Sequence, residues 1–189
     1  MDLYRVFTWD GDSIGNQPGG PLFVARDRQG AGRHDAPARY GAWYCARDAV
    51  SAVAESIQFF RGAVLGSGDL RRPGGAGKAL ATLSLDADAV LVDLDDPRQL
   101  VARKLRPSGV ATRRRVVTQP LAIAIFEEGA VGFRWWSTLD AEWTNLTLFH
   151  ERALRRVRVV GSPQPLTTTM PAVRTAADHL GIRISPRAE

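Results

Sequence analysis

The chain predicts an α+β fold, because strand and helix patterns interleave along it without regular strand-helix-strand units. The glycines also argue against a dinucleotide-binding Rossmann unit. Gly30-Ala-Gly32 leads into Arg33, His34 and Asp35, and Gly66-Ser-Gly68 leads to Arg71 where the third glycine belongs. With 189 residues and a hydrophobic share of 44%, the chain can bury a proper core, and one domain over residues 1–189 is expected.

Leu3 to Thr8 alternates apolar and polar residues and reads as a strand, whereas Gly11 to Arg39 is crowded with Gly, Pro, Asp and Asn and reads as a long irregular loop. Loops of that length tend to carry function. Ala42 to Ala46 is a short strand. Asp48 is placed to cap a helix running to about Arg61, whose core face is the stripe Ala49, Val53, Ile57 and Phe60, with Glu55 outside it beside Ser51. Gly62 to Lys78 is a flexible segment. Ala79 to Leu85 and Ala89 to Leu94 are strands, and Asp96-Pro97 opens a helix to about Leu105. Thr118-Gln-Pro120 opens another, Leu121 to Glu128, ended by Gly129. Strands follow at Val131 to Trp136, Thr144 to Phe149 and Arg155 to Val160. A last helix, Pro171 to Leu180, stops at Gly181 ahead of a short strand, Ile182 to Ile184.

Several function classes are excluded by what is missing. Cys45 is the only cysteine, so intrachain disulfides and thiolate metal clusters cannot form. His34, His150 and His179 lie far apart, and no His-Glu pair has helical metal-ligand spacing, so no metal site is expected. Gly77-Lys78 fails as a phosphate-binding loop, since Arg72 takes the first glycine position and Ala79 follows the lysine. Ser67 lacks the first glycine of a hydrolase nucleophile elbow. Met1 to Asp10 has no basic segment followed by an apolar one, and no run reaches membrane-spanning length, so a cytoplasmic protein without membrane contact is expected. The net charge of +5 is drawn from scattered arginines without a nucleic-acid-binding motif. They read as solvated faces or a surface for an acidic partner, and direct nucleic-acid binding is not expected.

The remaining motifs run in a recognisable order. They are Leu3-Tyr-Arg5, then Gly32-Arg33, then Tyr44-Cys-Ala-Arg-Asp-Ala-Val-Ser-Ala-Val-Ala-Glu55, then Gln119-Pro-Leu-Ala122, Gly132-Phe-Arg-Trp-Trp-Ser137 and Thr144-Asn145-Leu-Thr-Leu-Phe149. In order and spacing this resembles the RES domain family, named for an arginine, a glutamate and a serine, over about Leu3 to Arg155. One departure is Arg33-His34-Asp35, where the family usually shows Arg-Trp-Asn. The resemblance implies a fold similar to ADP-ribosyltransferase toxins. It also implies removal of nicotinamide from NAD by hydrolysis or phosphorolysis, with NAD as substrate, inorganic phosphate as a candidate co-substrate and no cofactor. It implies a toxin held inactive by a cognate Xre-like antitoxin with a DNA-binding helical domain.

The residues suit such chemistry. A carboxylate such as Glu55 can stabilise an oxocarbenium-like ribose. Nicotinamide leaves as a neutral base from a cationic reactant, so no second carboxyl is needed as general acid. Arg5 and Arg33 can grip pyrophosphate or phosphate bidentately, Tyr44 can stack on nicotinamide, and Ser137 and Asn145 can orient ribose or amide groups. The expected catalytic residues are therefore Glu55, Arg33 and Ser137, and the expected substrate-binding residues Arg5, Tyr44 and Asn145. Two other readings are transfer of ADP-ribose to a protein side chain and a non-enzymatic basic interaction module.

Overall fold

A computed structural model describes residues 1–71 and 75–186. Its elements in chain order are β1 (Asp2–Trp9), β2 (Ala42–Ala46), α1 (Ala49–Ile57), β3 (Val64–Leu65), β4 (Gly77–Leu85), β5 (Leu91–Asp93), α2 (Pro97–Ala102) and α3 (Pro107–Val110). They continue with α4 (Arg115–Glu127), β6 (Gly132–Trp136), β7 (Thr144–Phe149), α5 (His150–Ala153), β8 (Val157–Pro165), α6 (Pro171–Leu180) and β9 (Arg183–Ile184). The chain sorts into two compact units, the first made of Met1, Val24–Cys45 and Leu85–Arg158, the second of Asp2–Phe23, Ala46–Ser84 and the stretch from Val159 onward.

The first unit is built on strands in the order β5-β6-β7-β2. β5 runs parallel to β6, with Leu91 opposite Gly132, and β6 runs antiparallel to β7 from Gly132↔Leu148 to Trp136↔Thr144. Gly132 is needed for that closeness, because a Cβ there would sit 2.4 Å from the Thr147 carbonyl oxygen. Trp135 turns into the core and Trp136 stays half-exposed, as alternation along a strand requires. Phe133, Trp135, Phe149 and Tyr40 form one apolar cluster with Leu100, Val110, Leu121 and Ile125, contributed by α2, α3 and α4.

α4 begins at Arg115, earlier than the Thr118-Gln-Pro120 start expected from sequence, and holds Pro120 inside it. The proline is tolerated because the hydrogen bond it cannot make would go to the Val116 carbonyl, in the first turn of the helix. Val116 is 75% exposed, which leaves water to serve there. The helix ends as expected, with Gly129 at φ 91. α3 and α5, four residues each, carry too little periodicity to be read in advance.

In the second unit β1 lies antiparallel to β4 along its whole length, from Asp2↔Ser84 to Trp9↔Gly77, with β8 on the other side of β4. β8 runs to Pro165, past the expected end at Val160. It holds Pro163 because an edge strand needs hydrogen bonds on one side only. Asp48 caps α1 as expected, its carboxylate accepting from Ser51 N at 2.6 Å, and the helix continues into a 3₁₀ turn over Gln58–Phe60.

The expected core stripe of α1 is only half right. Val53 and Ile57 are fully buried, but Ser51, Ala52 and Ala54 are buried too, while Ala49 and Phe60 are half-exposed. The reason is that α1 packs against both β1 and α6, so two neighbours cover it. α6 meets it with Val173, Ala176, Ala177 and Leu180 and ends in Gly181 at φ 67, where the Ile182 amide closes onto the Ala177 carbonyl at 2.8 Å. β9 pairs in parallel with β3, a strand that the flexible reading of Gly62 to Lys78 had not foreseen. Arg72, Pro73 and Gly74 of that segment lie outside the described residues. Among the described residues no helix is long and apolar enough to cross a membrane.

Replacing Asp48 with Ala should cost about 1 kcal/mol through loss of the α1 cap. The urea midpoint should fall with an unchanged slope, and an unchanged midpoint would show that water caps the helix equally well.

Candidate functional site

Arg33 is carried by a segment without regular secondary structure, so its backbone polar groups need other partners. Asp35 serves two of the amides. Its Oδ2 accepts from the amides of Gly30 at 2.8 Å and Gly32 at 2.7 Å, and its Oδ1 accepts from the Tyr44 hydroxyl at 2.7 Å. That hydroxyl in turn accepts from His34 N at 2.9 Å, and the Tyr40 hydroxyl donates to His34 O at 2.8 Å. From α4, Thr118 Oγ1 donates to Arg33 O, and Gln119 Nε2 donates to Gly32 O at 3.0 Å and Gly30 O at 3.2 Å. Gly32 cannot carry a side chain in this arrangement, since a Cβ would lie 2.5 Å from both Asp35 Oδ1 and the Tyr44 oxygen.

The Arg33 side chain leaves this anchored backbone and lies over the Trp135 ring, with Cζ 4.7 Å from the ring centroid. Nη2 donates to Thr138 Oγ1 at 3.2 Å. A guanidinium stacked on an indole gains about 0.5–2 kcal/mol and keeps a fixed plane, which suits it to bidentate contact with an oxyanion. Trp135 is fixed in its turn, because its Nε1 donates to Thr147 Oγ1 at 3.1 Å and that oxygen lies 2.7 Å from His34 Nδ1. Ser137 and Asn145 are both 2% exposed. Ser137 directly follows β6 and its Oγ accepts from Leu139 N at 3.0 Å, opening the turn towards β7, while Asn145 stands opposite Trp135 across the β6–β7 pair.

Burial sets the protonation states. His34 is 1% exposed, and desolvation, followed by the Arg33 charge, holds its pKa well below the ordinary value, so the ring is neutral at pH 7. Desolvation and then the Asp35 charge push both Tyr40 and Tyr44 far up, so both phenols keep the protons they donate.

Arg5 and Glu55 belong to the second unit. Arg5, on β1, holds the Pro21–Phe23 segment, its Nη2 donating to Phe23 O at 2.9 Å and its Nη1 to Pro21 O. Glu55 is half-buried on the last turn of α1, and its Oε2 accepts from Gln58 Nε2 at 2.9 Å. Beside it, Lys78 Nζ donates to Ser56 O at 2.8 Å and to Ser56 Oγ at 2.9 Å, placing a cation at the carbonyl end of the helix.

Of the six residues singled out from sequence, Arg33, Tyr44, Ser137 and Asn145 thus fall in the first unit, with Arg33 and Asn145 both meeting Trp135. Sequence reasoning missed Asp35, Thr118, Gln119, Thr138 and Thr147 as partners of that group. Gln119 stood in a quoted motif, but nothing in the sequence says that it reaches the carbonyls around Arg33.

Because the folded state keeps His34 neutral while the unfolded chain takes up a proton near pH 6.5, this residue costs stability as pH falls through that value. The loss is at most about 1.4 kcal/mol per pH unit and ceases below the depressed folded pKa. The groups at the ring are Thr147 Oγ1, the Arg33 charge, and the rings of Tyr44, Phe133 and Trp135. The His34→Gln variant should show a shallower fall of urea midpoint between pH 7.5 and 5.5, and the wild-type His34 ring should stay neutral by NMR at pH 5.5. An equal slope, or a ring that titrates normally, would contradict the burial argument.

A model of the RES domain matches residues 3–169. No curated protein matches the chain. Among solved structures, a chain of the M. tuberculosis MbcT-MbcA toxin-antitoxin complex shares the fold with a TM-score of 0.62 and 17% sequence identity, over 96% of this chain and 88% of that one. With the family model spanning most of its length, the chain belongs to the RES domain family.

Proposed function

We propose that this protein is an NAD-consuming toxin of a toxin-antitoxin pair, breaking the nicotinamide-ribose bond with water or inorganic phosphate as acceptor. The observation that carries the reading is the Arg33 guanidinium, laid on Trp135 and held there through a backbone tied at Gly30, Gly32, Arg33 and His34. Membership of the RES domain family and the likeness to a chain of a toxin-antitoxin complex support it.

In this reading Arg33 takes the pyrophosphate of NAD or an incoming phosphate. Tyr44 meets the nicotinamide, and Ser137 and Asn145 orient ribose or amide groups. The bond between ribose C1′ and the pyridinium nitrogen breaks with its electron pair going to nicotinamide, which leaves neutral. Glu55 stabilises the positive charge left on the ribose. The acceptor oxygen bonds to C1′, and when that acceptor is water its surplus proton passes to the Glu55 carboxylate or to solvent. The cognate inhibitor is an Xre-like antitoxin, and the site of action is the cytoplasm.

Purified protein should release nicotinamide from NAD, and the rate with and without inorganic phosphate identifies the acceptor. Glu55→Gln should lower kcat by about a hundredfold or more while the unfolding midpoint stays within error. Full turnover by that variant would remove Glu55 from the chemistry, and intact NAD with folded wild-type protein would defeat the reading as a whole.

A further inference from the structure

Although arginines are spread along the chain, the excess of positive charge falls in one stretch. Between Pro97 and Phe126 there is no Asp or Glu, while Arg98, Arg103, Lys104, Arg106, Arg113, Arg114 and Arg115 are all basic. These seven exceed the +5 of the whole chain, and the remaining 18 basic and 20 acidic residues leave the rest at −2. Within the first unit α2, α3 and α4 bury Leu100, Val110 and Leu121 in the same apolar cluster, so their other sides face outward. Arg98, Lys104, Arg106, Arg114 and Arg115 are exposed there, and Arg103 pairs with Glu128. Two large apolar side chains stand out among them, Val101 at 77% and Val116 at 75% exposure.

Stability alone does not account for this composition. Arg114 is the N-cap residue of α4 and Arg115 its first helical residue, with no side-chain cap and no acidic residue in the first turn. The positive end of the helix dipole disfavours cations at that point, and Ser, Asp or Glu would serve the helix better. The arginines are kept at the helix's expense.

From the charge segregation and the exposed valines, we propose that the outer face of α2, α3 and α4 is a docking surface for a protein segment rich in both acidic and apolar side chains. Six of the seven basic residues are arginines, whose planar forks match carboxylates bidentately. Val101 and Val116 give the partner's apolar side chains something to cover. A nucleic-acid backbone would use the charges and leave both valines exposed, so the protein partner fits the whole patch better. This surface does not depend on the NAD chemistry proposed above.

The test uses the full chain and short synthetic peptides. A peptide alternating Glu with Leu should bind with an affinity that falls as salt is raised, and the same peptide with Gln in place of Glu should not. The Arg114→Glu, Arg115→Glu double variant should lose about tenfold or more in affinity while its unfolding midpoint rises, since acids now face the helix N-terminus. Arg174→Glu, an exposed control on α6, should bind as wild type does. The Val101→Ser, Val116→Ser variant should weaken binding without altering its salt dependence. Equal affinity for the Gln peptide, undiminished binding by the double variant, or tighter binding to duplex DNA of equal charge would each overturn the proposal.

Discussion

The Asp35 carboxylate takes three donors, two loop amides and the Tyr44 phenol, and the position of Arg33 depends on that set of bonds. A loop without strand or helix partners must satisfy its backbone polar groups elsewhere, and each buried group left unpaired costs about 1–3 kcal/mol. Here Asp35 and Tyr44 serve the amides, and Tyr40, Thr118 and Gln119 serve the carbonyls. The bonds form a connected network, in which a change at one member leaves buried partners unsatisfied. An arginine held in this way needs less ordering when an anion arrives, which is how preorganisation contributes to binding.

The departure from the usual Arg-Trp-Asn of the family fits this picture. His34 sits edge-on to Phe133 and Trp135, with ring centroids 4.8 and 5.0 Å away, so a neutral imidazole occupies an aromatic position. Asp35, where the family usually has Asn, brings two acceptor oxygens and no donor. That matches three incoming N–H and O–H groups without requiring one to turn around. The two substitutions belong to one network and are coupled through Tyr44, which contacts both residues.

Much of the fold was legible because the signals were local. Asp48 announces α1 through its cap, Pro171 and Gly181 bracket α6, and alternation marks β1. What escaped depends on contacts distant in sequence. β3 is two residues long and exists by pairing with β9, and Ser51 is buried because α1 is packed against both β1 and α6, on a face that periodicity alone calls polar. The candidate site divides in the same way. Arg33, Tyr44 and Ser137 could be singled out from motifs. The reach of Thr118 back to Arg33, 85 positions away, leaves no trace in the chain that carries it.

Amide hydrogen exchange on residues 30–35 of the wild-type protein tests the anchoring most directly. Gly32 and His34 donate to buried oxygens of Asp35 and Tyr44, so their amides should exchange as slowly as those of β6 and β7 although the segment is a loop. Exchange at the rate of an unstructured chain would mean that the network does not hold in solution and that Arg33 is not preset for an anion.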